Sequence, residues 1–212
     1  MPAIETDTIC AIATPVGRSG IGIVRLSGPD VARACKEILG FLPSPRHAHY
    51  CDFLDADQTV IDQGVAIYYQ SPDSFTGEDI LELQGHGGVY VLNAVLERVL
   101  LLDIRLAGPG EFSERAFLND KIDLLQAEAI ADLIDANSKQ AVQSAMRTLR
   151  GQFSELVHHL VTMLTTIRVS VEAAIDFSDE DIDLMADAKV EESIKETLNQ
   201  ISGVYAQAQQ GA

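Results

Sequence analysis

The sequence is poor in cysteine, and it contains no long apolar run. Its three cysteines (Cys10, Cys35 and Cys51) are an odd number without the spacing of metal ligands. They argue against a disulfide framework and a zinc site, and favour a reducing compartment. No apolar run approaches the roughly eighteen residues of a membrane helix, and the N-terminus lacks the basic and apolar regions of a signal peptide. We therefore expect neither a membrane span nor a targeting segment.

Positive charge is also scarce. The 15 lysines and arginines stand against 32 aspartates and glutamates, which gives a formal net charge of −17, and neither half of the chain is basic. A field of this sign repels phosphate backbones, so these residues alone should bind RNA or DNA weakly. The hydrophobic content of 47% is that of a folded chain with a real core.

Nucleotide-binding motifs are missing as well. The loop 17–20, Gly-Arg-Ser-Gly, lacks the Gly-Lys-Ser/Thr ending of a P-loop. A strand-like run follows it, whereas a dinucleotide-binding Gly-x-Gly-x-x-Gly turn opens a helix. The loop is instead typical of a turn between two strands, predicted at 8–16 and 21–27.

Two charged residues interrupt predicted strands. By alternation, Arg25 shares a face with Ile23, and Glu82 shares a face with Ile80. The glycines after Glu82 leave room for a ligand, so its carboxylate is a candidate for binding paired N–H groups, as in an aminopyrimidine. An internal ion pair for Arg25 and an exposed rim position for Glu82 are the structural alternatives. His86 has no second His or Cys at metal-ligand spacing, which leaves acid–base chemistry as its functional alternative.

The segment 108–136 separates two differently built regions. Strand and helix patterns alternate before it, whereas apolar residues recur every three or four positions after Lys121, as in a helix. Asn119 and Asp120 lie where they would accept hydrogen bonds from the first helical turn. We expect a helix to begin here, with Lys121 at its mouth, at a seam where ligand sites are common. A solvated lysine is the alternative.

Long helices are predicted beyond this segment. The pattern of 138–172 is helical and weakened only at Gly151, and a last helix is predicted from about Ala188 to Gln207. The acidic stretch between them, 174–187, lacks the glycine and terminal glutamate of a calcium loop, so we expect an acidic inter-helix loop. These helices are too few to cover one another's apolar faces. We expect an incomplete bundle, part of a larger protein.

Four motifs, in this order and spacing, resemble the MnmE (TrmE) family of tRNA modification GTPases: DTICAIATPVGRSGIGIVRLSG, SFTGEDILELQGHGG, GPGEFSERAFLNDKIDLLQAEAIADLIDA and VEAAIDFSDEDI. The resemblance covers essentially the whole chain. It implies an α+β fold for residues 1–118, a folate-binding dimerisation domain similar to that of aminomethyltransferases. It also implies that residues 119–212 are the first part of an all-α helical domain, ending about where a GTPase domain would be inserted.

The GTPase motifs of that family are absent here. The chain contains no Asp-x-x-Gly and no Asn-Lys-x-Asp, in addition to lacking the P-loop, and the family's cysteine-bearing C-terminal tail is also missing. We therefore expect an N-terminal fragment that does not hydrolyse GTP. Binding of GTP, Mg²⁺ and K⁺ is expected only in the missing domain, and we expect no catalytic or metal-binding residue in the fragment.

The resemblance implies a homodimer and a tetrahydrofolate one-carbon donor, either 5-formyltetrahydrofolate or 5,10-methylenetetrahydrofolate. The family's folate contacts match Arg25 in GIVRLSG, Glu82 in LELQGHGG and Lys121 in FLNDK. A carboxylate suits the donor edge of the pterin, and cations suit the anionic glutamyl tail. Which cation meets which part of the folate stays open.

For the full-length protein, the resemblance implies modification of C5 of the wobble uridine (position 34) of tRNA, in the cytoplasm. The implied partner is the flavin-dependent protein MnmG (GidA), and tRNA would be bound through that complex. Two alternatives remain. A complete folate-dependent aminomethyltransferase would need a second substrate-binding domain in place of the helical half, and a dimerisation or docking module would bind no ligand.

Overall fold

The computed structural model of the chain describes residues 7–15, 17–176 and 188–211. It divides into two compact units after Ala127. The elements in chain order are β1 (Ile9–Ile12), β2 (Ser19–Ser27), α1 (Val31–Leu39), β3 (Ala48–Leu54), β4 (Val60–Tyr69), β5 (Ile80–Gly87), α2 (Val89–Leu100), β6 (Arg105–Leu106), α3 (Glu111–Leu118), α4 (Leu124–Asp135), α5 (Lys139–Leu149), α6 (Gln152–Asp176) and α7 (Ala188–Gly211). Of the predicted acidic loop, residues 174–176 belong to α6, and residues 177–187 lie outside the described residues.

The first unit is built on a mixed six-stranded sheet of order β3-β4-β5-β2-β1-β6. Neighbouring strands are antiparallel except for β1 and β6, which are parallel. In the middle of the sheet Arg25 on β2 lies opposite Glu82 on β5, which in turn lies opposite Ile67 on β4. Directly opposed residues of antiparallel strands share a face, so these three side chains project to the same side.

One face of the sheet is covered by α1 and α2. Its central side chains Val24, Leu26, Leu81 and Leu83 are at most 1% exposed and belong to the hydrophobic core. Burying such an aliphatic side chain stabilises the fold by roughly 1.5–3 kcal/mol. These residues alone therefore determine which side of each strand faces the core.

The opposite face is only partly covered, and we call it the open face. It consists of alternate residues of three neighbouring strands, all of intermediate exposure: Ile23 and Arg25 on β2, Val65, Ile67 and Tyr69 on β4, and Glu82 and Gln84 on β5. The strand alternation predicted for Arg25 and Glu82 is therefore confirmed.

One end of this side of the sheet is closed by the loop 71–79 and by α3. Ser27 is fully buried there, and its hydroxyl lies 2.7 Å from the hydroxyl of Thr76, which is also fully buried. Asn119, directly after α3, donates from its side-chain amide to the Thr76 carbonyl. The loop is thus held between the sheet and the end of α3.

The helix expected at Asn119 and Asp120 begins later. Asp120 has a φ of 54°, in the left-handed region, and belongs to the turn that ends α3. The N-terminal hydrogen bonds of α4 come instead from a reciprocal pair, in which Asp123 Oδ1 accepts from the Gln126 amide and Gln126 Oε1 accepts from the Asp123 amide, both at 2.9 Å. This is the capping-box arrangement, three residues downstream of the predicted cap.

The single helix expected over 138–172 is two helices. Ser138 caps α5 by accepting from the Ala141 amide at 3.1 Å. Gly151 has a φ of 77° and separates α5 from α6, because a left-handed residue cannot continue a right-handed helix.

In the second unit α6 packs against α5 and α7. Large apolar side chains nevertheless remain at least half exposed on α6 and α7, among them Val161, Val169 and Leu198. Within the described ranges, no helix combines the length and apolarity that crossing a bilayer requires.

Candidate functional site

Arg25 and Glu82, proposed from the sequence as ligand contacts, form an ion pair with each other. The Nε and Nη2 groups of Arg25 both donate to Glu82 Oε1, at 2.9 and 2.6 Å. The Glu82 side chain is 12% exposed and that of Arg25 is 30% exposed. The internal ion pair that the sequence left open for Arg25 is therefore present, at a surface that a ligand can still reach.

Three further side chains surround the pair. Gln84 donates from Nε2 to the second carboxylate oxygen of Glu82, at 3.2 Å. The ring of Phe112, on α3, faces the Arg25 guanidinium with its centroid 5.7 Å away, within the range of a cation–π contact. Burial raises the pKa of the Tyr69 hydroxyl, and the neighbouring Glu82 carboxylate adds to that rise. The pair thus has aromatic and amide neighbours on the open face.

Lys121 lies apart from this pair. Its Nζ donates to the carbonyl of Pro72 at 2.8 Å, and its backbone amide donates to the Ala116 carbonyl at the end of α3. A side chain at Gly77 would lie 3.2 Å from the Lys121 Cγ, so the lysine stem runs along the loop 71–79. Among the described residues, Lys121 makes no hydrogen bond to Arg25 or Glu82. The structure brings two of the three predicted contacts together and places the third at the closed end of the sheet.

A network of charged groups fixes α3, which carries Phe112. The buried Arg115 guanidinium donates to the carboxylates of Asp7, Glu111 and Glu78, at 2.7, 3.0 and 3.2 Å. Arg105 also donates to Glu111, at 2.7 Å. Because of the hydrogen bond from Arg105 above all, the pKa of Glu111 falls to about 2. These contacts tie α3 to the sheet and to the loop 71–79, and so position the Phe112 ring.

Next to the pair, the open face continues into a groove of about 260 Å³. It is lined by residues of four strands, including Ile21, Tyr50, Val65, Gln84 and His86. Ile21 and Tyr50 are 64% and 71% exposed, so the groove offers apolar as well as polar surface.

The thiols contribute no reactive group. All three cysteines are free, and burial raises the pKa of Cys10 to about 11 and that of Cys35 to about 12. Burial raises the pKa of Cys51 as well. In the part of the chain that the structure describes, no three His, Cys, Asp or Glu side chains are grouped closely enough to hold a metal ion.

Comparison with known proteins assigns both units. Residues 8–121 match the family described as the GTP-binding protein TrmE N-terminus, and residues 124–212 match the MnmE helical domain. The chain belongs to the MnmE (TrmE) family. The resemblance drawn from the four motifs is thereby confirmed, as is the succession of an N-terminal TrmE domain and a helical domain.

Individual MnmE relatives agree over nearly the whole chain. A tRNA modification GTPase MnmE of Shewanella woodyi is 55% identical over 210 residues, which is 99% of this chain. One of Haemophilus influenzae is 57% identical over 207 residues, and one of Pectobacterium carotovorum is 56% identical over 209 residues. The chain spans about 46% of the length of each of these relatives.

Several neighbours of the predicted MnmE-type site were not foreseen. The contact of Phe112 with Arg25 depends on how α3 folds back over the sheet. Asp62, which binds His86, lies 24 residues away in sequence and carries no motif. Only the pairing of β4 with β5 reveals the contact, because it places Val65, three residues after Asp62, opposite Gln84, two residues before His86.

Proposed function

We propose that this chain is the N-terminal part of an MnmE-type tRNA modification GTPase, and that its first unit binds a tetrahydrofolate one-carbon donor on the open face. The observation that carries the proposal is the Arg25–Glu82 pair, which is half-buried, accessible and flanked by aromatic and amide side chains. We assign residues 1–118 to the folate-binding domain and residues 119–212 to the first part of the helical domain.

The donor set of the pair suits a folate. Glu82 Oε2 accepts only the long bond from Gln84 among the described residues, so it retains the capacity to accept a ligand N–H. The donor edge of a pterin offers such N–H groups. The half-buried apolar residues of the open face, such as Ile67, provide surface for a flat ring.

Lys121 completes the proposed site from the closed end of the sheet. Its ammonium group is held by a single carbonyl and is exposed, so it can exchange that bond for an anionic group of the ligand. A bound 5-formyl- or 5,10-methylenetetrahydrofolate would supply the one-carbon unit. The chain's own residues would bind and orient that donor, with Glu82 as acceptor and Arg25 holding the Glu82 carboxylate in place.

Isothermal titration calorimetry with 5-formyltetrahydrofolate tests the proposal directly. We expect one saturable site per chain, weakened in Glu82→Gln and Arg25→Ala. A ligand-free docking module, the main alternative, predicts no heat of binding beyond dilution. An aminomethyltransferase-like enzyme predicts binding together with turnover of a small amine substrate by this chain alone.

The assembly is also a proposal. We infer a homodimer formed through the first unit, because the family resemblance implies one and because the exposed Val60 and Leu106 leave apolar surface on its strands. Multi-angle light scattering of the 212-residue chain should give twice the monomer mass of 23.0 kDa. A monomer mass at tens of micromolar would refute the dimer.

For the full-length protein we propose GTP hydrolysis with Mg²⁺ and K⁺ by a domain outside this chain. We further propose that it acts on the wobble uridine of tRNA together with the flavin-dependent MnmG, in the cytoplasm. The acidity of this chain, with a net charge of −17, favours tRNA binding through the complex rather than through these residues. A pull-down of the full-length protein with MnmG, with and without tRNA, tests the partner and the order of assembly.

A further inference from the structure

His86 and Asp62 form a hydrogen-bonded pair at the rim of the groove. His86 Nδ1 lies 2.7 Å from Asp62 Oδ1, and the His86 backbone amide donates to Asp62 Oδ2, also at 2.7 Å. The Asp62 side chain is 10% exposed, whereas that of His86 is 72% exposed. The imidazole is therefore anchored on one side and faces solvent on the other.

The anchor determines the tautomer of the ring. Burial opposes ionisation of Asp62, but the hydrogen bonds from the His86 amide, the His86 ring and the Gln63 amide outweigh it and lower the pKa of Asp62. An ionised carboxylate only accepts hydrogen bonds, so Nδ1 of His86 carries the proton. In the neutral ring Nε2 then presents a lone pair, and among the described residues no donor meets it.

The Gln84 side chain links the groove to the Arg25–Glu82 pair. Gln84 lines the groove together with His86, and the same Gln84 side chain donates to Glu82. A side chain at Gly85 would collide with the Asp62 carboxylate, so the glycine permits the close approach that holds His86. Along β5, His86 lies beyond Glu82 on the side away from the loop 71–79, opposite to the Lys121 end.

We propose that the groove is a subsite for a flat nitrogen heterocycle, with His86 Nε2 accepting a hydrogen bond from a ring N–H and Asp62 acting as a positioning residue. Rings with an N–H beside a carbonyl fit this chemistry, and both pterin and uracil are of this kind. The inference rests on the proposed folate function and assigns the pterin to the groove. The pterin N–H bound by His86 is one that Glu82 does not take.

The test compares His86→Ala with His47→Ala. His47 is an exposed histidine of the same unit, whose Nδ1 lies 2.9 Å from the Pro45 carbonyl, and it serves as the matched control. Losing one neutral hydrogen bond predicts a roughly three- to tenfold weaker Kd for 5-formyltetrahydrofolate in His86→Ala, and less than about a twofold change in His47→Ala. A parallel titration with uridine separates the two heterocycles.

Ring ¹⁵N chemical shifts of the parent protein give a readout that does not depend on the variant folding. We expect the Nδ1–H tautomer for His86, its loss in Asp62→Asn, and a shift of the Nε2 resonance on adding 5-formyltetrahydrofolate. A Nε2 shift with uridine alone overturns the assignment to the pterin. If Glu82→Gln weakens folate binding but His86→Ala does not, this inference is overturned and the proposed function stands. If the parent protein binds no folate, both are overturned.

Discussion

Glu82→Gln removes one negative charge from the open face while keeping the size of the side chain and one carbonyl acceptor. In the parent, two Arg25 donors converge on Glu82 Oε1 at 2.9 and 2.6 Å. The substitution converts charge-assisted bonds into neutral ones and replaces the second acceptor oxygen by an amide that donates. Both the internal pair and the proposed contact with the pterin are altered by this one change.

The effect on folding and the effect on binding differ in size. The Glu82 and Arg25 side chains are 12% and 30% exposed, so solvent screens the pair, and its loss should cost about 1 kcal/mol of folding free energy. For a domain of about 120 residues that lowers the Tm by roughly 3–5 °C. Losing a charged acceptor for the ligand N–H groups should cost about 2–3 kcal/mol of binding free energy, or roughly thirty- to a hundredfold in Kd.

Calorimetry with 5-formyltetrahydrofolate and a thermal melt on the same samples separate the two effects. Glu97→Gln is the matched control, because Glu97 is an exposed residue of α2, which covers the other face of the sheet. It should leave both Kd and Tm nearly unchanged. If the parent binds folate and Glu82→Gln binds it within about twofold as tightly, the ligand lies elsewhere and the reasoning from the pair is wrong.

Three further expectations concern single residues, and one concerns the whole chain. Lys121→Ala should raise the folate Kd by under about fivefold, less than Glu82→Gln does, because an exposed ammonium contributes little to binding. A calorimetric Kd raised as much as in Glu82→Gln would contradict this. Gly151→Ala should cost about 1 kcal/mol in urea unfolding, since its φ of 77° strains any side chain, and unchanged stability would refute that reason. The Glu111 carboxylate, whose pKa is lowered from 4.5 to about 2, stabilises the fold fully above pH 4.5, and this stabilisation is lost as the pH falls towards 2. Glu111→Gln should therefore make the urea midpoint depend less on pH between about pH 5 and 2. The same pH dependence as in the parent would exclude this role. The 212-residue chain should show no saturable binding of a fluorescent GTP analogue, because it lacks the GTPase motifs. A measurable Kd would contradict that interpretation.

Strand alternation was enough to predict the faces of Arg25 and Glu82, because the period of two follows from local backbone geometry and the buried face is strongly apolar. Their mutual contact was not predictable in the same way. The two residues are 57 positions apart, and their pairing depends on the register of β2 against β5, which places Arg25 opposite Glu82. The register between strands so far apart in the sequence is set by the packing of the whole sheet and not by either strand alone.

Helix boundaries show the same limit on a smaller scale. Asn119 and Asp120 were expected to cap α4, whereas the structure uses Asp123, which is an equally suitable N-cap residue. The start of α4 is determined by the end of α3, where the Lys121 backbone amide donates to the Ala116 carbonyl and Asp120 adopts the left-handed conformation. These contacts take 120 and 121 into the preceding turn and leave Asp123 as the first free cap.

The structural and functional interpretations of the Arg25–Glu82 pair do not exclude each other. A carboxylate alone on the open face would rotate freely, and a ligand would have to immobilise it at a cost of about 0.5–1.5 kcal/mol. Arg25 holds one oxygen of Glu82 in place, and Phe112 on the anchored helix α3 lies against Arg25. The remaining oxygen, Oε2, is then fixed in direction and still has capacity to accept. Under the proposed function, the internal ion pair prepares the contact with the folate, so that one arrangement would both stabilise the sheet and orient the acceptor for the ligand.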